Sequence, residues 1–175
     1  SSLADTYDAL GQRDSALAHA RTALELLRRE RGADDEATLS ATEDVGRYLA
    51  KLNRNTEAEP MLRDVLEKSR RLLGDEHDIT LNCMAALATS VRVQNRFAEA
   101  EPLNRRVLEV TRRKHGAQSE RTAKALNDLA VLLNSQNRAV EAEPLYREAI
   151  AIREKSLGTD HPAYISTLSN FARVL

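Results

Sequence analysis

The sequence predicts an all-α solenoid of antiparallel helix pairs, and three observations carry the prediction. The string Glu-Ala-Glu-Pro occurs as Glu57-Ala58-Glu59-Pro60, Glu99-Ala100-Glu101-Pro102 and Glu141-Ala142-Glu143-Pro144, at intervals of 42 residues. Gly32, Gly74, Gly116 and Gly158 keep the same interval. Between them runs a second column of turn residues, Gly11, Asn53, Asn95 and Asn137. A fixed period of this length marks a supersecondary unit that stacks on copies of itself, because one unit cannot bury its apolar face alone. Such an architecture points to a surface that holds a partner, not to a pocket that performs a reaction.

In chain order the expected helices are 1–10 and 14–31, 35–51 and 56–72, 77–93 and 98–114, 119–135 and 140–156, then a lone helix from 161 to 175. They make one domain, 1–175, with repeats 1–34, 35–76, 77–118 and 119–160 and a partial repeat 161–175. Each first helix carries a large apolar residue followed by a small one: Leu3-Ala4, Val45-Gly46, Leu87-Ala88, Leu129-Ala130 and Phe171-Ala172. Each second helix has its own small column, Ala16, Ala58, Ala100 and Ala142. Small residues at fixed places on both helices let the backbones approach, while the large neighbour fills the space beside them. In the second helices His19, Met61, Leu103 and Leu145 precede Ala23, Val65, Val107 and Ala149 by four, and Leu24, Leu66, Leu108 and Ile150 follow directly. These spacings predict the buried stripe.

The ends of the elements are also periodic. Gly and Asn tolerate a left-handed backbone, so the column Gly11, Asn53, Asn95 and Asn137 ends each first helix, and the glycine column is expected to end each second helix in the same way. Asp34, Glu76, Gln118 and Asp160 come near the start of the next first helix. Asp160 is the expected cap there, with Pro162 just behind it, since Asp accepts from free N–H groups and Pro has none to lose. Pro60, Pro102 and Pro144 sit early in the second helices, where proline costs little. The chain begins and stops inside a first helix and shows no capping repeat, so it reads as part of a longer array.

Composition narrows the function. The net charge is −1, with acids and bases interspersed, so there is no blanket field for nucleic acid or an anionic membrane. Aromatics are 3 % of the chain, and no apolar run approaches membrane-spanning length. Cys83 is the one cysteine, so neither a disulfide framework nor a cysteine metal cluster is expected, and the expected compartment is the cytoplasm. No phosphate-binding glycine loop, Gly-x-Ser-x-Gly or His-Glu-x-x-His occurs. Catalysis by this chain is therefore not expected, and no cofactor or metal is assigned. His77 and His161 share a column at the loop-to-helix junction and read as structural. His19 reads as a packed or partly exposed substitution, and Cys83 as a small buried apolar residue. Asn104 stands in a column otherwise holding Ala20, Leu62 and Tyr146, and packing alone does not explain it.

The columns resemble the tetratricopeptide repeat in the 42-residue form of kinesin light chain and of many bacterial proteins. The likeness is clearest in Leu126-Asn127-Asp128-Leu129-Ala130, Gln136-Asn137-Arg138, Glu141-Ala142-Glu143-Pro144-Leu145-Tyr146 and Leu157-Gly158-Thr159-Asp160-His161-Pro162, and it covers essentially the whole chain. The resemblance implies a right-handed superhelical solenoid whose first helices line a concave groove for a peptide or partner domain. By analogy the groove-facing positions are Glu43, Arg47, Ala50 and Lys51; Asn82, Ala85, Thr89, Arg92 and Val93; Lys124, Asn127, Val131, Asn134 and Ser135; and Ser166, Ser169 and Arg173. The paired asparagines usual before Leu-Ala are half-kept only in Asn127-Asp128 and Ser169-Asn170.

Arg47, Lys51, Arg92 and Lys124 then place four cations mid-groove, with Asp5, Asp8 and Glu43 towards the N-terminal end. The expected ligand is an extended acidic peptide, its main chain held by Asn82, Asn127 and Asn134, since a carboxamide both donates and accepts. Thr89 completes the expected peptide-binding set. Two alternatives stand beside this scaffold reading. One is end-to-end self-association or a structural spacer through uncapped terminal helices, sensitive to Leu3, Phe171 and Leu175. The other is a regulatory tail of a larger enzyme, such as a kinase or NTPase.

Overall fold

The computed structural model describes Thr6 and residues 12–173. Within them every element is helical. They are α1 (Arg13–Arg31), α2 (Glu36–Lys51), α3 (Asn55–Leu73), α4 (Asp78–Val93), α5 (Phe97–His115), α6 (Glu120–Ser135), α7 (Ala139–Leu157) and α8 (Pro162–Phe171). From α1 to α7 each boundary lies within one residue of its expected place, whereas α8 stops at Phe171. Of the expected helix 1–10 only Thr6 is described, and it is helical; Leu3, Ala4, Asp5, Asp8, Gly11 and Leu175 lie outside the described residues.

The architecture is the all-α solenoid of sequential antiparallel helix pairs. The chain falls into two compact units, Ser1–Val93 and Gln94–Leu175. In the first, α1 packs on α2, α2 on α3, α3 on α4, and the first helices α2 and α4 lie side by side. In the second, α5 packs on α6, α6 on α7 and α7 on α8.

The small columns behave as the sequence predicts. Ala16, Ala58, Ala100 and Ala142 are fully buried, as are Ala88 and Ala130. Gly46 shows how tight the approach is. A methyl group placed on it would sit 2.6 Å from Leu62 Cδ2 and 2.8 Å from Cγ, well inside van der Waals contact.

The stripe on the second helices is buried as expected at Leu24, Val65, Leu66, Val107, Leu108 and Ala149, but its first column lies one residue later than expected. Met61, Leu103 and Leu145 are half-buried, while His19 and Ala23 are exposed. The buried column is Ala20, Leu62, Asn104 and Tyr146. The reason is angular. The seam runs from Ala58 through Leu62 to Val65 and Ser69, steps of four, three and four that follow the 3.6-residue turn and leave position 61 on its shoulder.

The two turn columns are chemically different, which corrects the expectation that they act alike. Asn53, Asn95 and Asn137 have φ of 58°, 60° and 60°, as in a left-handed helix. At Asn53 the N–H donates to Ala50 O, and Arg54 N–H donates to Leu49 O. Asn137 and Arg138 repeat this pattern with Asn134 and Leu133. These are Schellman closures, and Asn tolerates them. Gly32, Gly74, Gly116 and Gly158 instead combine φ of 84–92° with ψ of 154–171°, a region open essentially to glycine alone. Thr80 Oγ1 and Thr122 Oγ1 fasten these turns, donating to Gly74 O at 2.8 Å and Gly116 O at 2.7 Å.

The helix-start signal also moves by one place. The caps are Asp35, whose Oδ1 accepts from Ala37 N–H at 3.0 Å, Ser119, whose Oγ accepts from Thr122 N–H at 3.1 Å, and His161, whose Nδ1 accepts from Ala163 N–H at 3.2 Å. Pro162 is the first helical residue, so the cap falls on His161 and not on Asp160. His77 and His161 are thereby structural, His77 Nδ1 accepting from Ile79 N–H at 3.4 Å.

The difference between the turns is testable in the second unit. Gly116→Asn is expected to cost about 1–3 kcal/mol, because Asn has no easy access to that φ/ψ. Asn137→Gly should stay within about 1 kcal/mol of the parent, since glycine enters the left-handed region freely. Urea denaturation of both variants measures this. Equal losses would contradict the assignment of two distinct turn conformations.

Candidate functional site

The first helices bury most of their surface and leave one stripe open. On α4, residues 79–81, 83–84, 86–88 and 90–91 are buried. The open side consists of Asn82, Ala85, Thr89, Arg92 and Val93, which follow the spacing of a single helix face. Asn82 and Thr89 are exposed and Arg92 is half-buried; Thr89 Oγ1 donates to Ala85 O at 3.0 Å. Beside it α2 carries exposed Lys51 and half-buried Arg47, whereas Ala50 and Glu43 are buried, correcting their assignment to the open face.

Arg47 is held by its own helix. Its guanidinium donates to Asp44 Oδ1, lies 3.4 Å from Glu43 Oε1 and stacks 4.5 Å over the Tyr48 ring. Burial opposes its charge, but Glu43 and Asp44 outweigh burial and hold its pKa above the ordinary arginine value. Lys51 Nζ lies 5.8 Å from the centroid of the same ring.

In the second unit α6 presents Lys124, Asn127, Val131, Asn134 and Ser135 along one side. Lys124 and Ser135 are exposed and the other three half-buried. Lys124 Nζ donates to Asp128 Oδ2 at 2.9 Å. Asn170 Nδ2 of α8 donates to Asn127 Oδ1 at 3.2 Å, joining the two first helices amide to amide. Ser166, Ser169 and Arg173 of the α8 segment are exposed. The set expected from sequence is thus divided between the two units. Arg47, Lys51, Asn82, Thr89 and Arg92 stand on the first unit, and Lys124, Asn127 and Asn134 on the second.

The second helices carry an ion-pair ladder that explains the glutamates of the repeated string. The first glutamate meets the arginine three residues earlier, as Arg54–Glu57 at 2.7 Å, Arg96–Glu99 at 2.5 Å and Arg138–Glu141 at 2.7 Å. The second meets the arginine four residues later, as Arg63–Glu59, Arg105–Glu101 and Arg147–Glu143, each at 2.7 Å. The alanine between them is core. The spacing of three and four is legible in the sequence as a helix-surface pairing.

Glu101 does more. It accepts from Arg105, from Arg138 Nη1 at 2.6 Å and from Gln136 Nε2 at 3.2 Å, so it ties α5 to the α6–α7 turn. Burial pushes its pKa up, but the three donors overcome that and hold it down at about 2. Arg153 was not anticipated. It is buried in a column that holds Ser69 and Thr111, and it donates to Glu120 Oε1 at 2.8 Å, to Ala163 O at 3.0 Å and to Thr167 Oγ1. One side chain thus binds α6 and α8 to α7. An arginine in a column that otherwise holds Leu27, Ser69 and Thr111 was the available signal.

The remaining candidates are accounted for. Asn104 is buried and donates to Asp128 O at 3.4 Å, a bond from α5 to α6 that its apolar column-mates cannot make. Cys83 is fully buried, and burial first, then the carboxylates of Glu43 and Asp44, push its thiol well above the ordinary range. It is packing, as expected. His19 is exposed. Among the described residues no group of three or more His, Cys, Asp or Glu could hold a metal ion, and no helix is long and apolar enough to cross a membrane.

Known proteins bear on this geometry. Models of the tetratricopeptide repeat match residues 1–70, 52–113 and 122–163. A Podosopora anserina protein, described as kinesin light chain with nearly identical TPR-like repeats, is similar in fold. The TM-score is 0.73 at 20 % identity, over 98 % of this chain and 82 % of that one. A single-substitution form of it gives 0.74 at 20 % identity, over 98 % and 81 %. BtubC (BKLC) from P. vanneervenii gives 0.77 at 25 % identity, over 98 % and 68 %. No curated protein matches the chain in sequence.

The Glu101 cluster makes a prediction with a definite sign. A carboxylate whose folded pKa lies below its unfolded value of 4.5 stabilises fully above pH 4.5, and loses that contribution as the pH falls towards 2. Glu101→Gln is expected to cost about 1–2 kcal/mol at pH 7, an allowance reduced for the partial exposure of the group. The gap between variant and parent should shrink between pH 4.5 and pH 2. Chemical denaturation at neutral pH and at about pH 3 tests this; a gap unchanged by pH would refute it.

Proposed function

The chain belongs to the tetratricopeptide repeat family, and on that premise we propose that it is a scaffold that holds an extended peptide or partner domain against its first helices. Repeats of this family are protein–protein interaction modules, and no catalytic domain is evident among them. The carrying observation is the contrast on α4. Ten of its sixteen residues are buried, and what stays open is a single stripe through Asn82, Ala85, Thr89 and Arg92. Asn82 and Thr89 are exposed, so the Asn82 amide, and the Thr89 hydroxyl as an acceptor beyond its own bond to Ala85 O, can meet a ligand's main chain. The α6 stripe through Lys124, Asn127 and Asn134 supports the same reading in the second unit.

Charge does less here than the residue types suggest. Arg47 carries Glu43 and Asp44 beside it, and Lys124 carries Asp128. The proposed ligand is therefore held through its backbone and by shape, with Lys51 and Arg92 as secondary contacts. It follows that these faces select weakly for acidic sequence.

A second reading, self-association, is favoured by α8. Ile165 and Leu168 are 51 % and 39 % exposed there, while the residues 84 positions earlier, Leu81 and Met84, are 4 % and 0 % exposed. Phe171 is half-buried and lies 5.7 Å from Tyr146, ring to ring.

One experiment separates the two. Peptides enriched by the chain from a random display library are measured against the parent, against Asn82→Arg/Thr89→Arg, and against Glu25→Arg on the exposed side of α1. The scaffold reading expects the double variant to lose at least about tenfold in affinity and Glu25→Arg to bind as the parent does. No enrichment, together with oligomers in sedimentation that Leu168→Glu disperses, would replace it with self-association.

A further inference from the structure

Asn170 of α8 makes a bond to the open side of α6 that the repeat does not need. Its Nδ2 donates to Asn127 Oδ1 at 3.2 Å. At the other three places the same two columns hold Asp44 with Ser1, Ala86 with Glu43 and Asp128 with Ala85. The columns hold two amides only once, and two of the other three combinations contain an alanine. Stacking of the units therefore does not depend on such a bond.

The bond belongs to a row of polar groups with one direction. Lys124 Nζ donates to Asp128 Oδ2 at 2.9 Å, and Asn127 Nδ2 donates to Asp128 Oδ1 at 3.4 Å. Asn127 thus stands between a carboxylate, which only accepts, and the N–H of Asn170, which donates. Both neighbours select the same orientation of its carboxamide. Turning the amide over would set oxygen against oxygen on one side and N–H against N–H on the other. The second N–H of Asn127 and the second lone pair of its oxygen take no partner among the described residues, and the side chain is half-buried.

The two helices that share this bond are held in place by a third. Buried Arg153 of α7 donates to Glu120 Oε1 on α6 and to Ala163 O and Thr167 Oγ1 on α8. With the helices already tied there, the bond from Asn170 to Asn127 adds order to one side chain of the open stripe.

We propose that Asn170 is a positioning residue for ligand recognition by the second unit: it fixes the Asn127 carboxamide in one orientation, so that the amide meets the main-chain carbonyl of an extended peptide with a preset N–H. The inference rests on the scaffold reading above and names how one of its contacts is made. A free asparagine on a helix surface samples several rotamers and both amide orientations, and loses that freedom when a ligand binds. Asn127 has lost it before the ligand arrives. Because every peptide carries main-chain carbonyls, a preset donor favours extended backbone over any particular side chain.

The test measures peptides enriched by the full chain from a random display library against the parent, Asn170→Ala, Asn170→Asp, Asn127→Ala and Asn127→Ala/Asn170→Ala. Aspartate keeps the size of asparagine but cannot donate, while alanine brings no charge. Affinity should fall by about threefold to tenfold in Asn170→Ala and at least as far in Asn170→Asp, with helix content by circular dichroism unchanged. In the Asn127→Ala background, Asn170→Ala should cost nothing further, since a positioning residue acts only through its partner. Without any peptide, the Asn170 side-chain amide protons should exchange with water faster in Asn127→Ala than in the parent, as read by NMR. Equal binding by parent and Asn170 variants, or a loss that persists undiminished without Asn127, would overturn the positioning role and leave the scaffold reading standing. Failure of the parent to enrich any peptide would overturn both.

Discussion

The close approach of two helices at their small columns is the constraint from which the rest follows. Ala58, Ala100 and Ala142 leave no exposed surface, and Gly46 meets Leu62 so closely that even a methyl group has no room. A helix held at that distance must have a small residue at the contact and a large one beside it, and the pair must be closed by short turns of defined geometry. The 42-residue period is this one solution repeated. In a repeat architecture of this kind stability is distributed along the chain and not concentrated in one core.

Once the apolar seams are committed, the remaining surface is organised by short-range charge. The Glu-Ala-Glu-Pro string contains both kinds of requirement. Its alanine enters the seam, and its glutamates pair with arginines three residues before and four after, on the solvent side. Most of these pairs are exposed and individually weak. Glu101 and Arg153 differ because each links helices that are distant in sequence, and each has several partners in a partly or wholly enclosed place. Local pairing also reaches the first helices, where Asp44 and Asp128 sit beside Arg47 and Lys124. Residue type alone overstated the positive charge of those faces.

The two turn columns show how similar sequence signals conceal different physics. Glycine and asparagine alternate along the chain as if they were one signal. The asparagine turns lie in the left-handed region, with both Schellman bonds at Asn53 and Asn137, while the glycine turns lie where a side chain is strained wherever it points. The sequence holds the distinction, since asparagine never enters the glycine column. Recognising its cause takes the backbone angles.

From the sequence alone, period and helix bounds were legible to within one residue from α1 to α7, because turn residues and small columns recur with the geometry that demands them. The family was legible for the same reason. The choice of residue 62 over residue 61 as a buried column was not, since both positions hold apolar residues beside the seam. Nor were the burial of Glu43, the bond from Asn104 to Asp128 O, or the grip of Arg153 on α6 and α8. Each depends on which side chain a neighbouring helix brings opposite, a fact of packing that no one helix encodes. Periodicity is local and repeats, so the sequence determined the scaffold; partnership between particular side chains is non-local, and only the tertiary structure decided it.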